Sequence, residues 1–177
     1  MVITFLSDFG LQDDFVGTCH GVIKRIAPEV EIIDITHGIP PQHVLQGALV
    51  LCNTLPYMPE GIHLAVVDPG VGGQRRPLAL RTGDGRFLVG PDNGLLIPAA
   101  DGLGGIAAAH ELANPQYALD TVSRTFHGRD LFSPAAAHLA QGVALEKLGP
   151  PVDPQALVRI DMPEPEIGQN RIRATVL

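Results

Sequence analysis

The sequence predicts an α/β fold with a central, largely parallel sheet flanked by helices. Three observations carry this. Strand-like and helix-like segments alternate over the first 70 residues, which is the pattern of βαβ units. Three of the strand-like runs end in polar turn residues, Ser7-Asp8, Thr36-His37 and Asp68. The composition is 45% hydrophobic and 18% charged, enough for a packed core and too apolar for wholesale disorder.

Residues 2–6 form a short apolar run that meets Gly10, and read as a buried strand and turn. Residues 12–27 place Phe15, Val16, Cys19, Val22, Ile23 and Ile26 at helical spacing, with Asp13 and Asp14 in the first turn and Pro28 as the stop. Residues 31–36 read as a strand, 44–55 as a helix ended by Pro56, and 62–67 as a third strand. Residues 77–82 and 86–89, joined by Gly83-Asp84-Gly85, predict a hairpin. Residues 95–100 read as a short helix, 106–112 as an ambiguous segment assigned to strand, and 129–141 as a helix with an Ala-rich face. A Pro-rich stretch at 149–154 reads as a linker. Residues 171–177 alternate, with Ile172, Ala174 and Val176 on one face, and read as a strand. A lone strand cannot bury its own face, so the expected organisation is an α/β domain over 1–154 followed, at 155–177, by a linker and the first strand of an incomplete C-terminal β domain.

The net charge of −7 argues against a nucleic-acid or anionic-membrane surface. No apolar run is long enough to span a bilayer, and no secretory signal pattern opens the chain. The expected location is the cytoplasm. Cys19 and Cys52 have no CxxC neighbour, so two reduced thiols are expected rather than a metal knuckle or a redox pair.

Parallel strands bring their carboxyl ends to one edge, where open α/β sheets bind ligands. Asp8 reads either as a turn residue or as a carboxylate that accepts two hydroxyl hydrogen bonds. Asp68 reads either as a turn residue before Pro69 and Gly70 or as a site carboxylate. Arg75 and Arg76 read as solvated, or as able to fold back across the glycine turn onto Asp68 and hold it ionised. His127 reads as structural, or as a site residue beside Gly128 at a helix start. His20, His43, His63, His110 and His138 have no such context and read as structural or exposed. Asp8, Asp13 and Asp14 offer a rival reading, a carboxylate cluster for a divalent cation in a phosphatase-like hydrolase. The GxGxxG dinucleotide fingerprint is absent.

The motifs Ser7-Asp8-Phe9-Gly10 with Asp13-Asp14, Asp34-Ile35-Thr36-His37 and Val66-Val67-Asp68-Pro69-Gly70-Val71-Gly72 with Arg75-Arg76 occur in that order. Gly90-Pro91-Asp92-Asn93-Gly94 and Phe126-His127-Gly128-Arg129-Asp130 follow them. Together they resemble the S-adenosyl-L-methionine hydrolases, or hydroxide adenosyltransferases, which are related to the halogenating enzymes of the same substrate. The resemblance implies hydrolysis of S-adenosyl-L-methionine to adenosine and L-methionine by attack of water or hydroxide on ribose C5′. It maps the catalytic set onto Asp68, Arg75 and His127, and the ribose-diol carboxylate onto Asp8. Ser7, Asn93, Phe126 and Gly128 are assigned to substrate binding. It implies no metal, no cofactor and a homotrimer, with adenine contacts from the C-terminal domain. The halogenating relatives carry a halide-binding Ser where this chain has Gly128, so the resemblance sides with hydrolysis. Whether His127 or Asp68 takes the proton stays open at this level. A non-catalytic nucleoside-binding module is the remaining alternative.

Overall fold

The computed structural model describes residues 1–161, 166–168 and 170–173. A six-stranded mixed sheet forms its middle layer, in the order β2-β1-β3-β5-β4-β6. The strands are β1 (Val2–Ser7), β2 (Glu31–Thr36), β3 (Ile62–Val66), β4 (Pro77–Thr82), β5 (Phe87–Pro91) and β6 (Ile106–Glu111). β1 pairs in parallel with β2 and β3, and β3 in parallel with β5. β4 is antiparallel to both β5 and β6. The sheet is therefore largely parallel on one side, and the predicted hairpin supplies the antiparallel side.

The helices are α1 (Phe15–Ile26), α2 (Val44–Thr54), α3 (Ile97–Gly102) and α4 (Ser133–Ala140). Strands covered on both faces must be apolar at successive positions. β1 and β3 obey this, with Ile3, Phe5, Ile62, Leu64 and Val66 facing the α1 and α4 side. Leu6, Ala65 and Val67 face the α2 and α3 side.

Three expectations change in detail. Asp13 and Asp14 precede α1 instead of lying in its first turn. Asp14 is the N-cap position, and its carboxylate accepts from the Thr18 hydroxyl at 2.9 Å. The single helix predicted over 129–141 is a wide π turn, Gly128–Phe132, running into α4. Pro134 explains the break. It has no N–H for the Asp130 carbonyl, which accepts from the Leu119 N–H at 2.9 Å instead. The Pro-rich stretch at 149–154 lies along β6, where Val152 N–H donates to the Ala109 carbonyl at 2.8 Å.

Near the end of the chain, β7 (Glu166–Ile167) and β8 (Ile172–Arg173) form a small antiparallel ladder. Ala174 and Val176 of the predicted last strand lie outside the described residues. Cys19 and Cys52 are both unbridged, Cys19 buried and Cys52 half-buried. Among the described residues, no helix is long and apolar enough to cross a membrane.

Candidate active site

The chain leaves β1 toward β2 on one side, then returns to place β3 on the other. This reversal opens a crevice at the carboxyl ends of β1 and β3. Asp8 follows β1, and Asp68 follows β3 by two residues. A cavity of about 60 Å³ lies there, lined by Asp8, Phe9, Val66, Asp68, Val71, Thr125, Phe126, His127 and Gly128. That volume admits a few water molecules, not a whole nucleoside.

The loop after β3 coils tightly. Val71 N–H donates to the Asp68 carbonyl at 3.3 Å, and Gly73 N–H to that of Gly70 at 3.0 Å. Gly72 has φ +72 and lies against the Arg124 carbonyl, where a Cβ would collide. The coil carries Arg75 back over Asp68. Arg75 Nε donates to both carboxylate oxygens at 3.0 Å, and Nη2 donates to Oδ2. Nη2 also lies 2.7 Å from His127 Nδ1. Asp68, Arg75 and His127 thus form one connected network, with the side chains of the ion pair only 5% and 9% exposed.

This network fixes a tautomer. A guanidinium only donates, so His127 Nδ1 accepts, and the ring proton sits on Nε2. Burial and the Arg75 charge together hold the imidazole below its usual pKa, against the opposing pull of Asp68. His127 is therefore neutral at pH 7. Its loop is anchored from behind by Asp130, whose buried carboxylate accepts from the Ser123 N–H at 2.8 Å and from Arg129.

Asp8 presents its carboxylate to the cavity and accepts the Gln42 N–H at 2.8 Å. Gln42 holds φ +66, the left-handed region, as the only non-glycine to do so among the described residues. Burial pushes the Asp8 carboxyl up, the Gln42 N–H pulls it down, and Asp68 adds a smaller upward push. Aromatic rings wall the opening. Phe9 meets Phe126 edge-on at 5.7 Å, and Phe15 meets Phe126 at 5.0 Å.

The structure gathers Asp8, Asp68, Arg75, Phe126, His127 and Gly128 around the cavity. It places Ser7 and Asn93 elsewhere. Ser7 is fully buried, its Oγ 2.7 Å from His37 Nδ1 and accepting from Phe9 N–H at 3.3 Å. Asn93 donates to the Val67 carbonyl at 2.8 Å and accepts from Leu95 N–H at 3.1 Å. Both brace the loops that frame the cleft. Phe9, Val71 and Thr125 line it with no chemical signal in the sequence beyond their neighbours. Asp13 and Asp14 do not join Asp8 in a ligand group. Among the described residues the one set with metal-ligand spacing is His20, Asp34 and His37.

A three-layer α/β domain with an aspartate–arginine–histidine network at its switch point defines a ligand-binding, enzyme-like class of protein. Residues 3–149 match the family described as SAM hydroxide adenosyltransferase N-terminal domain, and the chain belongs to that family. It is 55% identical over 161 residues to an (R)-S-adenosyl-L-methionine hydrolase of Salinispora arenicola, covering 91% of this chain and 61% of that protein. The hydrolase of the same name from Thermus thermophilus is 44% identical over 90% of this chain and 65% of its own length. A fluorinase of Nocardia brasiliensis is 30% identical over 94% and 63%. A crystal structure of a conserved protein from Thermotoga maritima superposes with a TM-score of 0.87 at 40% identity, over 93% of this chain and 63% of that one. The chain thus spans about three-fifths of the length of the curated relatives it matches.

Proposed function

We propose that the chain carries the catalytic domain of an enzyme that hydrolyses S-adenosyl-L-methionine to adenosine and L-methionine. The observation that carries this reading is the Arg75 guanidinium bridging Asp68 and His127 at the wall of a water-sized cavity. A water held there attacks ribose C5′. The new O–C5′ bond forms as the C5′–S bond breaks, and its electron pair leaves with sulfur as the neutral thioether of methionine. The water's proton must then go to a site group. His127 Nδ1 already accepts from Arg75 and Nε2 carries a proton, so Asp68 is the acceptor, and His127 keeps Arg75 in place. General-base help of this kind contributes about 10²–10⁴-fold. Asp8 accepts the ribose hydroxyls and orients C5′ for in-line attack. The reaction needs neither metal nor redox cofactor.

Gly128 supports water over halide as the nucleophile. A Cβ there would stand 2.8 Å from the Phe9 ring, so a serine would require the ring to move. We take the assembled protein to be a cytoplasmic homotrimer. Phe15, exposed and packed on the cleft residue Phe126, and Leu11, exposed and nearby in sequence, support a partner surface.

The test is chromatography after incubating the protein with S-adenosyl-L-methionine. Equimolar adenosine and methionine are expected, unchanged by chelator or halide. Adenosine binding without methionine release would make the chain a binding module, and halide-dependent nucleoside formation would make it a halogenating enzyme.

A further inference from the structure

Apart from the residues that line the cavity, three side chains converge. His20 comes from α1, Asp34 from β2 and His37 from the turn after β2. Asp34 Oδ1 lies 2.9 Å from His20 Nε2 and 3.1 Å from His37 Nε2. All three ligand atoms fall within 4.8 Å of one another. The His37 side chain is 2% exposed, while His20 and Asp34 are 30% and 40% exposed. The cluster therefore has a fixed inner member and an open outer face.

His37 Nε2 is the telling atom. It is buried and makes no hydrogen bond, because at 3.1 Å from the carboxylate its geometry falls outside hydrogen-bond range. A buried polar atom without a hydrogen bond is unfavourable, so this nitrogen is available to a further partner. The same ring is held at Nδ1 by Ser7 Oγ, 2.7 Å away, and packed edge-on against Phe5 at 4.8 Å. A second-partner contact of that kind is what orients a metal-ligating imidazole.

We propose that His20 Nε2, Asp34 Oδ1 and His37 Nε2 bind a divalent transition-metal ion of the zinc class, with a fourth position open to solvent. Two imidazoles and one carboxylate suit Zn²⁺, Co²⁺ or Ni²⁺, whereas Mg²⁺ and Ca²⁺ take oxygen ligands. Metal–ligand bonds of about 2.0–2.2 Å place tetrahedral ligands a little over 3 Å apart, so the exposed Asp34 and His20 need only small shifts. The ion would tie α1 and β2 to the Ser7–Gly10 turn. Ser7 Oγ joins His37 to the Phe9 N–H, and Gly10 N–H donates to the His37 carbonyl at 2.8 Å. The site is separate from the Asp68 network, and its reading does not depend on the proposed hydrolysis.

The experiment titrates the full chain with Co²⁺ and follows its visible absorption, alongside calorimetry with Zn²⁺. One equivalent is expected to bind with a tetrahedral cobalt spectrum, and Zn²⁺ is expected to raise the melting temperature. His20→Ala and Asp34→Asn are partly exposed positions, so circular dichroism should show both folded. Each should lose at least tenfold in affinity, and the exposed His43→Ala should lose none. Absence of stoichiometric binding, or affinity unchanged in both cluster variants, would overturn the site and leave an imidazole–carboxylate cluster only.

Discussion

Arg75 and Arg76 are neighbours in sequence, and each pairs with an aspartate that follows or ends a strand. Arg75 takes Asp68, beyond β3. Arg76 takes Asp92, beyond β5, with Nε donating to Oδ2 at 2.8 Å. The third partner separates them. Arg75 reaches His127 at a cavity, whereas Arg76 donates to the Ala156 carbonyl at 2.6 Å. Asp92 completes that clasp by accepting the Val158 N–H at 2.9 Å. One pair faces a place where chemistry can happen; the other fastens a chain segment to the sheet. An ion pair alone therefore does not mark an active site. What the pair leaves open beside it does.

The largest effect should come from Asp68→Asn. The side chain keeps its size and can still accept from Arg75, but it cannot take a proton. Turnover of S-adenosyl-L-methionine should fall by about 10²–10⁴-fold, with the circular dichroism spectrum unchanged. Activity within threefold of the parent would break the comparison at its active half. Arg76→Ala should do the reverse. It leaves Asp92, 3% exposed, as a buried charge without its cation. Removing one partner of a buried pair costs about 3–5 kcal/mol. Since Arg76 is itself 32% exposed, denaturant unfolding should show a loss at the low end of that range. Turnover per folded molecule should stay near the parent.

Much of this was legible in the sequence because it is local. β2 coincides with the predicted strand, and β1, β3 and the hairpin differ from expectation only at their ends, since strand and turn residues report on their own neighbourhood. The fold-back of Arg75 onto Asp68 was also foreseeable, because seven residues with three glycines allow a tight coil. The fate of Arg76 was not, because its partners lie 16 and 80 residues away. The same limit hid His20. It meets Asp34 only because α1 crosses over the parallel β1–β2 pair, and no local pattern records that crossing. Ser7 and Asn93 sit in motifs that suggest contact with substrate, and their side chains hydrogen-bond within the loops that frame the cleft.

A third buried group sharpens the rule for charge. His63, in β3, is fully buried with no charged hydrogen-bond partner, and its Nδ1 lies 2.9 Å from the Thr4 hydroxyl. Burial, aided by the Arg86 charge, lowers its pKa to about 4. The unfolded chain, with an ordinary value of 6.5, binds more protons across that interval. Stability should thus be full above pH 6.5 and fall as the pH drops toward 4, by about 3 kcal/mol. Denaturant midpoints at pH 7 and pH 4.5 measure this. His63→Leu should flatten the slope, with the smaller shifts of His127 and His138 in the same direction left behind. An equal slope in the variant would place the acid sensitivity in the ion pairs instead.

The smallest expected effect tests whether the clasp needs a guanidinium or only a positive charge. Arg76 sets Nε and Nη2 against Asp92 Oδ2, at 2.8 and 2.6 Å, and Nη2 also donates to the Ala156 carbonyl at 2.6 Å. A lysine carries the charge on one compact group and lacks the fork that meets Asp92 through two nitrogens while one of them reaches Ala156. Arg76→Lys should keep Asp92 compensated and lose mainly the bond to Ala156. The cost should be about 1 kcal/mol, the net value of one hydrogen bond to a charged donor at a partly exposed position. Hydrogen exchange would locate it, with the Val158 N–H protected less than in the parent and amides of β1 and β3 unchanged. A loss as large as that of Arg76→Ala would show that the forked geometry, rather than the charge, holds the segment to the sheet.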